Sequence, residues 1–195
     1  MTLNSAADFE TKASYSINVV VTDNGTGSFL SDSQAVTINV TDVNEAPVIT
    51  SAVTASVADN VATTTVVYTA TATDVDGDSL SYSLSGTDAA AFSIDATSGE
   101  VTLNSSPDFE TKASYSINVV VTDNGTGSLI DSQAVTINVT DVNEAPVITS
   151  AATGSVAESA ATPTDVYTAT ATDVDGDRLS YSPSGTAAAA FSIAA

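Results

Sequence analysis

The chain has 195 residues, with three Lys or Arg against 24 Asp or Glu and a formal charge of −21. Nucleic acid and anionic membrane surfaces are excluded as partners, because both are held through basic side chains. Disorder also fits poorly: 43% of residues are hydrophobic and they alternate regularly, so the acidic excess points to bound cations rather than a solvated coil.

The sequence contains no Cys and no His, which removes disulfides, thiol redox chemistry and the usual zinc ligands. A secreted repeat protein without cystines needs another brace, and metal can supply it. No apolar run reaches 18 residues, so no membrane insertion is expected.

Along the chain, internal repetition dominates. Residues 8–27 (DFETKASYSINVVVTDNGTG) recur unchanged at 108–127, an offset of 100. The hexapeptide Asp42-Val43-Asn44-Glu45-Ala46-Pro47 recurs at 141–146, Thr69 to Asp78 recurs at 168–177, and Ala91 to Ile94 recurs at 190–193, each at an offset of 99. The unit of about 99 residues has the size of a sandwich domain rather than a solenoid rung. The chain divides into the C-terminal half of one repeat (1–46), a complete repeat (47–145) and the N-terminal half of another (146–195).

Within one unit the pattern predicts short β-strands: Thr65 to Thr71, Leu80 to Leu84, Ala91 to Ile94, Glu100 to Leu103, Tyr115 to Val121 and Ala134 to Val139. Ile117, Val119 and Val121 fall on one face by strand alternation. Turns such as Asp76-Gly77-Asp78 and Asn124-Gly125-Thr126-Gly127 separate the runs. With a further run at Val53 to Val57 or Val147-Ile148, about seven strands arise per unit, which predicts an all-β sandwich with no significant helix. Ala187 to Ala190 is too short to nucleate a helix.

Four acidic motifs recur in fixed order: Ser155-Val156-Ala157-Glu158, Asp108-Phe109-Glu110, Asp141 to Pro146 and Asp173-Val174-Asp175. Together they resemble the calcium motifs of cadherin repeats of the bacterial, cadherin-like kind. Asp123, in Val-Thr-Asp-Asn-Gly, stands where that family has a further aspartate. The sequence departs from the family in Glu144 and Ala145 of the linker, and in Asp59 at the first-loop glutamate position of the complete repeat. Asp and Asn favour turns for local reasons, so no single tripeptide is informative. The ordered set, present twice, is.

The resemblance implies tandem seven-stranded Greek-key β-sandwich repeats with calcium, about three ions per junction, held between neighbours. The first junction would draw on Asp8, Glu10, Asp42, Asn44, Glu45, Asp74, Asp76 and Asp123. The second would use Asp59, Asp108, Glu110, Asp141, Asn143, Glu144, Asp173 and Asp175. So many carboxylates cannot converge unneutralised. Six calcium ions over two junctions would bring the charge of −21 to about −9. An EF-hand does not fit Asp74 to Asp78, because the sixth position of that loop is Ser79 and the twelfth is Ser85.

The two half-repeats raise a further expectation. Residues 146–195 of one subunit would fold with residues 1–46 of the next, a heterologous contact that propagates as a head-to-tail filament. Glu158 would then join Asp8 and Glu10 of the neighbour, and the neighbour's Asp23 would serve Asp173 and Asp175. The functional reading is a calcium-binding structural or adhesive protein, extracellular and on a bacterial cell surface. Its partners would be itself and a cell-surface or matrix ligand. The alternative is a carbohydrate- or surface-binding module, or a spacer array from a longer adhesin. It is weakened by the absence of Trp and the placing of tyrosines in strand runs. Catalysis is not expected, since Lys12 and Lys112 are the sole candidate bases and the carboxylates fall in metal-like clusters.

Overall fold

The computed structural model describes residues 1–193. Strand β1 (Ser14–Thr22) pairs antiparallel with β2 (Ser31–Asn39), from Ser14 opposite Asn39 to Thr22 opposite Ser31. There follow β3 (Val48–Ile49), β4 (Thr54–Ala58), β5 (Val66–Thr69), β6 (Ala72–Thr73), β7 (Ser81–Ser85), β8 (Phe92–Ile94) and β9 (Glu100–Leu103). The long strands β10 (Ser114–Thr122) and β11 (Ile130–Thr140) close the complete repeat, and β12 (Val147–Ile148) and β13 (Ala171–Thr172) lie beyond it. Among the described residues the helical content is two three-residue 3-10 turns, at Ala89–Ala91 and Ala188–Ala190.

The complete repeat holds its seven main strands in two sheets. One has the order β4-β11-β10-β7 and the other β5-β9-β8, while β3 and β6 make a small separate pair. Most pairings are antiparallel, but β11 and β4 run parallel. The β-branched residues of β10 and β11 alternate between the faces. Ile117, Val119, Val121, Val135, Ile137 and Val139 therefore point inward and are buried against Val67, Tyr68, Phe92, Val101 and Leu103 of the opposing sheet. Phe92 meets the ring of Tyr115 edge-on, with centroids 5.2 Å apart. This is the all-β sandwich that the strand spacing predicts.

The same sequence behaves differently outside this repeat. β1 repeats β10 residue for residue, yet Val19 and Val21 are 46% and 66% exposed where Val119 and Val121 are at 0%. Pairing explains the difference. The strands β4, β5, β7 and β8 of the front half find their partners in β9, β10 and β11 of the back half. Separated, each half keeps what it pairs within itself. The back half, residues 1–46, keeps the hairpin β1–β2, the copy of β10–β11. The front half, from residue 146, keeps β12–β13, the copy of β3–β6. It also keeps a tyrosine anchor: the Tyr167 hydroxyl hydrogen-bonds with Ser150 Oγ and Ala151 O, as Tyr68 does with Ser51 Oγ and Ala52 O. At 153–157, 165–168, 180–184 and 191–193, where copies of β4, β5, β7 and β8 would lie, there is no strand.

Pro183 replaces the Leu84 of edge strand β7. The Tyr82 N–H points away from β10, to Ala96 O at 2.9 Å. By antiparallel alternation the Leu84 N–H points the same way. A proline there removes no ladder bond and discourages a further strand from adding to the edge.

Core substitutions should therefore divide by repeat. Ile137→Ala is expected to cost about 2–5 kcal/mol, while Ile38→Ala, at a position already 38% exposed, should cost under about 1 kcal/mol. Urea unfolding at low protein concentration in chelator checks this; equal losses would contradict the partition.

Candidate metal centre

Two acidic seams flank the complete repeat. In the first, Glu10, Asp42 and Asp76 each bring a carboxylate oxygen within 4.8 Å of the others, and Asp74, Asp76 and Asp78 do the same. Asp76 is common to both groups. In the second seam the set is Glu110, Asp141, Glu144 and Asp175. Cavities of about 280 Å³ and about 340 Å³ lie at the two seams.

Local turns aim these groups. Asp74 Oδ1 accepts the Asp76 and Asp78 N–H groups at 3.0 and 3.2 Å, folding the pentapeptide back on itself. Gly77 permits this turn with φ +78°. Asp173 holds its own loop alike, through the N–H groups of Asp175 and Asp177. The linkers are tied across each seam, since Glu45 N donates to Asp76 Oδ2 and Glu144 N donates to Asp175 Oδ2, both at 2.8 Å.

Three oxygens are left over. Asp74 Oδ2, Glu144 Oε2 and Asp175 Oδ1 are buried without any hydrogen-bond partner. A buried, partnerless carboxylate oxygen is costly, and all three belong to the clusters. The donor set is wholly oxygen, which suits a hard divalent cation such as calcium. On both counts the residues fit the ion. Glu10, Asp42, Asp74, Asp76 and Asp78 would hold it in one seam, and Glu110, Asp141, Glu144 and Asp175 in the other. Bound there, the ion neutralises the carboxylates and ties the linker to both flanking segments.

The electrostatics report the same strain. Burial, then repulsion from Asp74 and Asp123, raises Asp78 above the usual carboxylate range. Burial followed by Asp76 and Glu10 raises Glu45. Burial followed by Asp175 raises Asp141. Glu144 moves furthest: burial, a hydrogen bond with Asp59 and the charge of Asp175 push it up to about 7.

Of the remaining expected ligands, several sit beside the clusters. Asp123 is 4% exposed and accepts the Asn44 side-chain N–H at 3.2 Å. Asp59, also 4% exposed, accepts the Phe109 N–H and lines the second cavity with Asp108, Glu110 and Glu144. Asp8 is engaged by the Thr11 N–H and hydroxyl, which hold its carboxyl below the ordinary value, the N–H first. Asn143, the counterpart of Asn44, donates to Glu144 O. Asp23 ties its own hairpin turn through Gly25 and Leu30, and neither it nor Glu158 belongs to a described cluster.

Asp78, Asn60 and Gly125 were not among the expected ligands or their supports. Asp78 is the third aspartate of the motif that EF-hand spacing sets aside, and it joins Asp74 and Asp76 because their short loop curls back on itself. Asn60, in a left-handed turn with φ 58°, links Asp59 to Glu144 Oε1 by its side-chain N–H. The shorter Asp59 is thus supplemented by its neighbour. At Gly125 a Cβ would lie 1.9 Å from Asn44 Oδ1 and 2.1 Å from Asp78 Oδ2, so the seam closes directly onto backbone.

Comparisons bear on residues 53–140, which match the Cadherin domain. Protocadherin Fat 1 of Homo sapiens is 37% identical over 147 residues, 72% of this chain and 3% of its own length. The Protocadherin-like wing polarity protein stan of Drosophila melanogaster is 35% identical over 188 residues, 90% of this chain and 5% of its own. Among solved structures, mouse Cadherin-23 EC22-24 superposes with a TM-score of 0.60 at 27% identity, covering 88% of this chain and 57% of that one. Protocadherin gammaB7 EC3-6, described as a cis-dimer, gives 0.59 at 28% over 74% and 38%. The chain thus spans a small part of the curated relatives it matches.

A pH dependence follows from Glu144. Its pKa in the cation-free fold is raised from 4.5 to about 7, so the folded state holds this proton more tightly than the unfolded state. Cation-free stability is then highest below about pH 4.5 on account of this group and falls as pH rises towards 7. Thermal unfolding in chelator should show that fall, and Glu144→Gln should flatten it; an unchanged slope in the variant would contradict the assignment. Calcium binding near pH 7 should likewise release protons, visible as a dependence of the calorimetric heat on the buffer's ionisation enthalpy. The folded core and the solved structures it superposes on agree with the family match: residues 53–140 match the Cadherin domain.

Proposed function

We propose that the protein is a calcium-stiffened extracellular structural or adhesive module that joins head-to-tail by completing split repeats. One observation carries this reading: Ser-Tyr-Ser-Ile-Asn-Val-Val-Val-Thr is a core strand at 114–122 and a bare one at 14–22. Residues that pack beside or beneath β10 and β11 in the complete repeat are repeated, and also bare, after residue 146. Val156, Tyr167, Tyr181, Phe191 and Ile193 are exposed copies of Val57, Tyr68, Tyr82, Phe92 and Ile94. Each half therefore displays what the other is shaped to cover. A second copy supplies it.

The seams support the same pairing. Asn44 meets Asp123, and in a head-to-tail contact the neighbour's Asp23 would meet Asn143 in the same way. Asp59 anchors Phe109, whereas Phe9 would be served by the neighbour's Glu158. In that contact each seam would gain one carboxylate. The 1–46, 47–145 and 146–195 division becomes a whole repeat alternating with a composite one, and about three calcium ions per seam remain the expected load. Ala187 stands where Asp88 bridges Lys112 at 2.5 Å, so the composite repeat would lack that ion pair. With Lys112 42% exposed, the loss would be small.

Self-association and an extracellular adhesive role accord with the cadherin domain. The bacterial cell-surface setting has only the sequence resemblance behind it, and the relatives named above are animal proteins. A sugar-binding face is less favoured: the exposed Tyr167 and Tyr181 copy residues that the complete repeat packs inward.

Multi-angle light scattering in saturating calcium, then in EGTA, tests the proposal. Species of several times 19.5 kDa that revert in EGTA are expected, and Asp175→Ala should weaken growth more than tenfold in calcium requirement. A monomer at every protein concentration in calcium would overturn it.

A further inference from the structure

The loop that joins β10 to β11 walls the first cavity, where Gly125 and Thr126 stand with Asp42, Asn44, Asp76 and Asp78. It contains the dipeptide Asn124-Gly125. An asparagine side chain carries an electrophilic amide carbon, and the next backbone nitrogen is the atom that can attack it. Glycine in the second place leaves that attack unhindered, because no Cβ crowds the nitrogen and the backbone turns freely. Between Lys112 and Arg178 the asparagines are Asn118, Asn124, Asn138 and Asn143, and all but Asn124 are followed by valine or glutamate.

The folded seam restrains both reacting groups. Asn124 Oδ1 accepts the Ser79 N–H at 2.8 Å. The Gly125 N–H donates to Asp123 Oδ1 at 3.0 Å, and the same oxygen accepts the Leu129 N–H at 3.0 Å. Asp123 is 4% exposed, so the loop is pinned to a buried anion. That anion opposes loss of the Gly125 amide proton, and the Ser79 bond keeps the Asn124 amide in place. Asn124 itself lies at the surface, so opening of this loop alone frees both groups, without global unfolding.

We propose that Asn124-Gly125 is a site of spontaneous deamidation, suppressed while the seam is closed and proceeding when it opens. Gly125 N loses its proton and bonds to Asn124 Cγ; the Cγ–Nδ2 bond breaks and ammonia leaves with that proton. Water then opens the five-membered ring at either carbonyl, giving aspartate or isoaspartate, with no oxidant or cofactor involved. Neither product suits the seam as asparagine does. Aspartate adds an anion to a loop that already sets Asp123 against Asp78. Isoaspartate adds a carbon to the backbone just ahead of Gly125, where a single added Cβ would lie 1.9 Å from Asn44 Oδ1 and 2.1 Å from Asp78 Oδ2. The amide is not regained, so each conversion leaves the seam weaker. That calcium holds this seam closed rests on the function proposed above; that the folded loop shields the dipeptide does not.

Peptide mapping of the whole chain, aged at mildly alkaline pH in urea, in EGTA and in calcium, tests this. Tryptic cleavage at Lys112 and Arg178 separates Asn124 from the same dipeptide at Asn24-Gly25. The peptide 113–178 should gain the mass of an NH2-to-OH exchange, at Asn124, more than about tenfold faster in urea than in EGTA. Calcium at about 100 times its dissociation constant should slow the conversion about 100-fold further, since binding to the closed form suppresses opening by that factor. Asn124→Gln should remove the gain from this peptide. In an Asp175→Asn chain, where the first seam is read alone, the converted form should take up calcium more than about tenfold more weakly. Conversion absent even in urea would overturn the site, and equal rates in urea and EGTA would overturn the shielding. Equal rates in EGTA and calcium, with calcium bound, would overturn the coupling to the seam, and undiminished calcium uptake by the converted chain would overturn the weakening. Slow conversion in both EGTA and calcium, fast conversion in urea and no calcium uptake by dialysis would sink the calcium reading and support the shielded deamidation site.

Discussion

Like charges brought together in a partly dry place are the constraint on which the structure depends. Four carboxylates converge at one seam, and two overlapping groups of three at the other. Burial and neighbouring carboxylates raise Asp78, Asp141 and Glu144 within these groups, and Glu45 beside them. The backbone cannot relieve the repulsion, because the Asp74 and Asp173 loops are locked by their own N–H groups. Protonation or a cation must do so. In the proposed function a cation would do so near neutral pH, and an all-oxygen donor set would favour a hard one.

The second constraint is topological. In this sandwich the strands of the front half pair chiefly with those of the back half. The half-repeats on either side retain only their internal pairing, β1–β2 or β12–β13. Apolar residues that are buried in one copy are bare in the other for this reason alone, as Val119 and Val19 demonstrate. In the proposed head-to-tail assembly, calcium binding and association would be linked, each strengthening the other by the same free energy.

Much of this is legible in the sequence because it is written in period two and in repetition. The alternation of Ile117, Val119 and Val121 foretells their common inward face, and the exact recurrence of residues 8–27 foretells the copy of β10. Asp42, Asp76, Asp141 and Asp175 are expected at the seams and converge there. What the sequence does not reveal depends on contacts across the fold. Asp78 belongs to a cluster because the loop at Asp74 curls back, which linear spacing cannot show. Asn60 reaches Glu144 across 84 positions, and Gly125 is required by a close approach of Asn44 and Asp78 that no local pattern announces. Asp8 and Asp108 read as ligands, yet their first duty is to cap the short turns at Thr11 and Thr111.

The most direct measurement is equilibrium dialysis with radioactive calcium on the whole chain and on Asp76→Asn and Asp175→Asn. Saturable uptake that each substitution lowers at its own seam, with the other seam still filling, is the predicted result. No saturable uptake at millimolar calcium, or uptake indifferent to both substitutions, would contradict the account.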